Sequence, residues 1–374
     1  MASVMVVVGT RPEAIKLAPV VQALRGTGLA VRICLSGQHP DLAGAALADF
    51  GLAADRLLSA CRPGQSLAEL GTRALSQLAA AMTRDRPRVV VVQGDTTTAL
   101  AAALAARAGG RLVAHVEAGL RTFDIAAPFP EELNRVAIAR VANLHFAPTP
   151  GARANLIAEG VAPRDIEVTG NTIVDAVFWL GMRKAAPQRA RAPYILVTAH
   201  RREERERRFA ALASALRRLV SSHEIGVRFV VHPGVEPELL QQIAAIARVE
   251  LLAPMSHAAF IAELAGARLA VTDSGGIQEE ASVLGVPTLV VRAATERPEV
   301  LADGAVQLVG EDALRIERAA AAILADPAPH AKRYAAASAI GDGKASVRIA
   351  RRVARALMCC CDQSSLAGAD CSCT

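Results

Sequence analysis

Short runs of β-branched and aliphatic residues, each ending in Gly, Asp or His, alternate along the chain with longer Ala/Leu-rich stretches of amphipathic character. Strands are expected near 3–8, 30–35, 88–93, 111–116, 143–147 and 165–169, with helices between them such as 14–24 and 67–82. The series then restarts, with strands near 194–198, 227–232, 249–252, 268–272, 287–292 and 305–309. This alternation predicts an α/β protein of two doubly wound, Rossmann-like domains with parallel sheets. Segment 183–193 contains Pro187 and Pro193 among basic residues and lacks a hydrophobic period, so it reads as the linker. The expected division is a first domain over 1–182 and a second over 183–344. A helix over 345–358, able to pack back on the first domain, and a disordered cysteine-rich tail over 359–374 complete it.

With 374 residues, 52% of them hydrophobic, the chain can bury two ordinary cores. A formal charge of +6 raises the question of a polyanionic partner, but aromatics make up only 3%, which argues against base stacking and hence against nucleic acid. A small phosphorylated ligand remains. The excess is also local: residues 201–218 hold seven Arg against three Glu, and 344–361 hold one Lys and four Arg without an acid. The first of these blocks adjoins an expected anion site, and the second reads as a solvated helix face. The start of the sequence lacks the features of a secretory signal, and no apolar stretch approaches the roughly 20 residues of a membrane span. A soluble, cytoplasmic protein without membrane insertion is expected. Cys34 and Cys61 stand alone, while Cys359, Cys360, Cys361, Cys371 and Cys373 lack the paired spacing of a zinc site. No metal or cofactor is expected.

In open parallel sheets ligands bind beyond the carboxyl ends of the strands, so the chemistry is sought there. The first strand runs through Gly9 and Thr10 into a helix start whose free N–H groups, with Arg11 and Lys16, suit an anion. Its counterpart is Ser274-Gly275-Gly276, where backbone can approach a phosphate, with Glu280 beyond it suited to ribose hydroxyls. One such site on each domain points to a diphosphate held between them. Asp95 and Glu117 end neighbouring strands and Glu131 opens a helix; a cap or dipole role is the competing reading for the acids. Carboxylates gathered near an anion site carry an electrostatic cost, which points to acid–base work. His200 and His232 follow strands of the second half, where histidine also serves as a loop cap, and Arg297 is placed to bridge phosphate or carboxylate.

Taken in order, GTRPEAIK at 9–16, GDTTT at 94–98, HVEAGLRT at 115–122, PEELNR at 130–135, GNTIVDA at 170–176, HRRE at 200–203, DSGGIQEE at 273–280 and TERPE at 295–299 resemble the non-hydrolysing bacterial UDP-N-acetylglucosamine 2-epimerases. The resemblance implies a glycosyltransferase-B-like fold, with the nucleotide sugar in a cleft between two Rossmann-like domains, usually in a homodimer. It implies reversible conversion of UDP-GlcNAc to UDP-ManNAc for surface polysaccharides, by elimination and re-addition of UDP through 2-acetamidoglucal. By the same resemblance Asp95, Glu117 and Glu131 transfer protons, and His200 is their partner at the leaving diphosphate. Arg11, Lys16, Ser274, Gly275, Gly276 and Arg297 hold phosphates or sugar, and Glu280 holds the ribose. Phe260 flanks uracil or, as an aromatic residue on a helix, belongs to the core.

The sequence departs from the family's pattern in three places. HRRE continues as Glu204-Arg205-Glu206-Arg207 rather than with Asn or Ser, Phe and Gly; His232-Pro233-Gly234 lacks the usual Asn-Pro; and Gln38-His39 leads into Pro40-Asp41. In the family these regions line a second UDP-GlcNAc site that activates bacterial members. Gln38, His39, Arg201 and His232 would be its remnant, so activation is expected to be weakened. The competing functions are a hydrolysing 2-epimerase releasing UDP and ManNAc, a glycosyltransferase of the same architecture, and a nucleotide-sugar-binding protein without catalysis.

Overall fold

The computed structural model describes residues 4–62, 64–181, 192–199, 205–232, 234–292, 306–326 and 340–366. The chain forms two compact units, the first comprising Met1–Ala176 with Gly341–Thr374 and the second Val177–Ile340.

Unit 1 is built on seven strands: β1 (Val4–Val8), β2 (Val31–Leu35), β3 (Arg56–Leu57), β4 (Val89–Gln93), β5 (Leu112–Val116), β6 (Leu144–Ala147) and β7 (Ile166–Val168). They pair in parallel in the order β3-β2-β1-β4-β5-β6-β7. Helices α1 (Arg11–Gly26), α2 (Pro40–Ala48), α3 (Leu67–Asp85), α4 (Thr97–Ala108), α5 (Glu131–Val141), α6 (Pro150–Ala158) and α7 (Thr172–Trp179) connect them. Every residue of β1 and β4 is buried, as expected of central parallel strands covered on both faces. The strand order reverses between β1 and β4, so their carboxyl-end turns leave the sheet side by side, which is the topological switch point of a doubly wound sheet. The alanines of α4 form a small-residue face that lets it pack closely between α3 and α5.

Unit 2 repeats the plan with β8 (Tyr194–Thr198), β9 (Gly226–Val230), β10 (Val249–Leu252), β11 (Leu269–Thr272), β12 (Thr288–Val290) and β13 (Val306–Leu308), ordered β10-β9-β8-β11-β12-β13. Its described helices are α8 (Arg205–Ser222), α9 (Pro237–Ala244), α10 (His257–Gly266), α11 (Gly275–Leu284) and Ala313–Ala325. Phe209 and Phe229, 5.7 Å apart between ring centroids, sit in the core between α8 and the sheet.

The predicted strands are found at their expected places. Strand β3 was not expected, because two residues at a sheet edge, one of them Arg56, carry no hydrophobic period. The first unit gives way to the second at Ala176 rather than at 182. The last helix, Ala345–Leu366, runs eight residues past the expected end and belongs to unit 1, where it packs against α1. Its Ile349, Val353 and Leu357 are buried at four-residue intervals on one face. At its start the buried Asp175 carboxylate accepts the N–H groups of Ala345 (3.2 Å) and Ser346 (2.8 Å) and the Ser346 hydroxyl. Arg348 Nη1 donates to Thr169 O at 2.9 Å. The GNTIVDA segment therefore anchors the last helix. Residues 183–191 of the expected linker and 367–374 of the expected tail lie outside the described residues. Among those described, no helix is long and apolar enough to cross a membrane and no group of three or more metal-ligating side chains occurs.

Candidate active site

The carboxyl ends of β1, β4 and β5 gather the acids of unit 1. Glu117 follows β5 with φ of 64°, in the left-handed region that a residue with a Cβ rarely adopts. Lys16 Nζ reaches back from α1 to lie 2.8 Å from each Glu117 carboxylate oxygen, and Gln93 Nε2, at the end of β4, donates to the same carboxylate. The lysine and glutamate side chains are only 6% and 7% exposed, so each offsets the desolvation of the other. Expected among the phosphate ligands, Lys16 instead stands with the carboxylates. Gly119, two residues on, has φ of 91°, and a Cβ there would fall 2.2 Å from Ala152 O.

Asp95, just after β4, is not the cap of α4: Thr96 Oγ1 accepts the Ala99 N–H at 3.0 Å in that role. The Asp95 carboxylate instead accepts Arg135 Nε at 3.1 Å together with Arg135 Nη2, and its carbonyl accepts Asn134 Nδ2 at 2.8 Å. Both partners come from α5. Glu131 opens that helix and is half-buried, while Glu132 is 1% exposed and is given over to structure. Its Oε1 accepts the Phe123 N–H at 3.1 Å and its Oε2 lies 3.1 Å from Arg135 Nη1.

Two buried groups that sequence reasoning missed surround this cluster. Glu13 accepts Gly9 N–H (2.9 Å), Thr10 N–H (2.6 Å), Thr10 Oγ1–H (2.8 Å) and Thr96 Oγ1–H (2.8 Å). Burial pushes its carboxyl up to about 7 against the pull of these four bonds. The Thr10-x-x-Glu13 spacing of a capping box was readable, but the bond to Thr96 spans 83 positions and was not. His115, in β5, has Nε2 2.8 Å from Gly94 O, and burial pushes its imidazole down to about 3. Arg11 opens α1, half-buried. Gln38 Oε1 accepts Thr98 Oγ1–H at 2.8 Å, and His39 is exposed before α2.

In unit 2 the turn after β11 leads through Ser274 into α11. Ser274 N–H donates to Thr272 Oγ1 at 3.0 Å, and a Cβ on Gly276 would meet no atom within 4 Å, so the start of α11 has an open backbone face. Gly275 is buried beneath it. Asp273, wholly buried, lies 3.3 Å from Arg208 Nη1, whose guanidinium also pairs with Glu311 at 2.6 Å. Glu280 is buried, with Oε1 3.7 Å from His257 Nε2. Phe260, 7% exposed, belongs to the apolar cluster that also holds Tyr194, Leu196 and Leu264. His232 Nδ1 accepts the Gly234 N–H at 3.2 Å, a loop-capping contact. His200, Arg201 and Arg297 lie outside the described residues.

A family model described as UDP-N-acetylglucosamine 2-epimerase matches residues 22–354. The UDP-N-acetylglucosamine 2-epimerase of Escherichia coli K12 is 39% identical over 363 residues, covering 92% of this chain and 96% of the relative. The structure of UDP-GlcNAc 2-epimerase from Neisseria meningitidis bound to UDP-GlcNAc superposes with a TM-score of 0.86 at 34% identity, over 94% of this chain and 99% of that one. The Methanocaldococcus jannaschii enzyme in complex with UDP-GlcNAc and UDP gives 0.81 at 32% identity, over 94% and 99%. The two Rossmann-like units are thus those of a glycosyltransferase-B-like α/β fold. With motifs, strand order and a match over nearly the whole chain in agreement, the chain belongs to the UDP-N-acetylglucosamine 2-epimerase family.

Proposed function

We propose that this chain interconverts UDP-GlcNAc and UDP-ManNAc without hydrolysis, through elimination and re-addition of UDP. The observation that carries this reading is the pair of carboxylates at adjacent strand ends, each already matched to a cation: Asp95 with Arg135 and Glu117 with Lys16. One carboxylate takes the C2 proton as the C1–O bond to the diphosphate breaks. The C2–H electron pair becomes the C1=C2 bond of 2-acetamidoglucal, and UDP carries away the electrons of the C–O bond. Addition of UDP to C1 with protonation of C2 from the opposite face gives the epimer. Glu131 is the third carboxylate available to these transfers, and His200 and Arg297 are assigned to the departing diphosphate. Arg11 and the start of α1, with Ser274, Gly275, Gly276 and the start of α11, supply further positive ends for it. Glu280 is assigned to the ribose. The ligands named for the Neisseria and Methanocaldococcus structures support the substrate choice.

The same reading places the protein in the cytoplasm as a homodimer supplying a polysaccharide precursor, with no metal required because the chain provides cations and helix starts for the diphosphate. Proton NMR of UDP-GlcNAc with the enzyme in heavy water tests it. UDP-ManNAc carrying deuterium at C2 is the expected product, and free ManNAc as the main product would overturn the non-hydrolysing assignment. Weak activation by UDP-GlcNAc, proposed from the altered Gln38, His39, Arg201 and His232 regions, predicts no long lag when the reaction starts from pure UDP-ManNAc. A lag abolished by trace UDP-GlcNAc would refute that part.

A further inference from the structure

His115 occupies an interior position of β5, in register beside Val92 of β4, and is wholly buried. Its Nε2 meets the Gly94 carbonyl at 2.8 Å, and since a carbonyl only accepts, the ring is the Nε2–H tautomer donating that bond. Gly94 N–H in turn donates to Val116 O at 3.0 Å. Two consecutive residues of β5 therefore hold both polar groups of Gly94. The Gly94 carbonyl shares one rigid peptide plane with the Asp95 nitrogen, so fixing that carbonyl fixes the direction in which the chain enters Asp95. Gly94 itself has φ of 68°, a conformation that leaves the turn without a side chain to hold it.

We infer that His115 is a positioning residue that sets the Asp95 loop for proton transfer. Asp95 is steadied from two directions. Arg135 and Asn134 grip its carboxylate and carbonyl from α5, and His115 orients the preceding peptide from β5. Glu117 lies two residues after His115, so one short stretch of β5 places both carboxylates in a common frame. An imidazole with no exposed surface cannot reach a substrate, and its action on the reaction runs through Gly94. A displacement of about 1 Å at a reacting group is enough to cost on the order of a hundredfold in rate.

This inference rests on the reading of Asp95 as a proton-transfer residue, and the experiment separates the two. His115→Gln keeps an amide N–H where Nε2 stands, whereas His115→Met fills similar volume without a donor. We expect kcat to fall at least tenfold in His115→Met with KM for UDP-GlcNAc within about threefold of the parent, and to return within about threefold of the parent in His115→Gln. The pH profile of kcat in the glutamine variant should keep both limbs. The inference is overturned if His115→Met retains kcat within twofold, if both variants lose rate alike, or if the glutamine variant loses one limb, which would make His115 itself the acid or base. Should the methionine variant not fold, His115→Asn, too short to reach Gly94, replaces it under the same criteria. Asp95→Asn is measured alongside. Near-normal turnover there would sink the role of Asp95, whereas inactive Asp95→Asn with fully active His115→Met would sink only the role of His115.

Discussion

A lysine at the start of a helix beside an expected phosphate site serves either the ligand or a neighbouring carboxylate, and only the fold decides which. Lys16 is taken by Glu117, 101 positions away, a distance across which no local pattern carries information. Lys16→Met should leave the Glu117 charge buried without its ammonium, costing about 3–5 kcal/mol of stability and lowering kcat. A rise in KM alone, with the melting temperature unchanged, would mean a phosphate ligand instead. Asp95→Asn and Glu117→Gln should keep the fold by circular dichroism and lose turnover. Gly119→Ala should fold poorly, since both its φ of 91° and the Ala152 carbonyl at 2.2 Å oppose a methyl group; normal soluble yield would contradict this. Candidates on strand-end turns were readable because parallel sheets put function there. Arg135, Glu13 and His115 were not, because what singles them out is a partner made near by the sheet order.

The strands were readable because covered strands are continuous apolar runs, and the ends of short or capped elements were not. The last helix outran its expected end because Cys359–Leu366 carries no apolar stripe. Its other end is fixed by a polar contact across the sequence, Asp175 with Ser346. A double-mutant cycle of Asp175→Asn and Ser346→Ala, read by urea unfolding, should give a coupling of about 1–3 kcal/mol, because the hydrogen bonds to a carboxylate are buried. Additive effects would mean that burial of the Ile349, Val353 and Leu357 face alone seats the helix.

Two of the buried ionisable groups, Glu13 and His115, make the stability of the molecule depend on pH in opposite senses. Glu13, raised from 4.5 to about 7, contributes stability that is complete below 4.5 and is lost as pH rises through 7. His115, lowered from 6.5 to about 3, contributes stability that is complete above 6.5 and is lost as pH falls towards 3. Between pH 4.5 and 6.5 the two slopes, each up to about 1.4 kcal/mol per pH unit, offset one another. Denaturant midpoints across that window should therefore be nearly flat in the parent. His115→Gln should gain stability on acidification relative to the parent, and Glu13→Gln should lose it; parallel curves would show that neither group is held away from its ordinary range. The anchoring of Ala345–Leu366 in unit 1 also sets an order of maturation. Unit 2 is one continuous stretch and leaves the ribosome whole, while the unit bearing Asp95 and Glu117, begun first, waits for the last helix to close over α1. A chain halted before residue 345 would thus present a second unit complete in sequence joined to a first unit still lacking the helix that closes over α1.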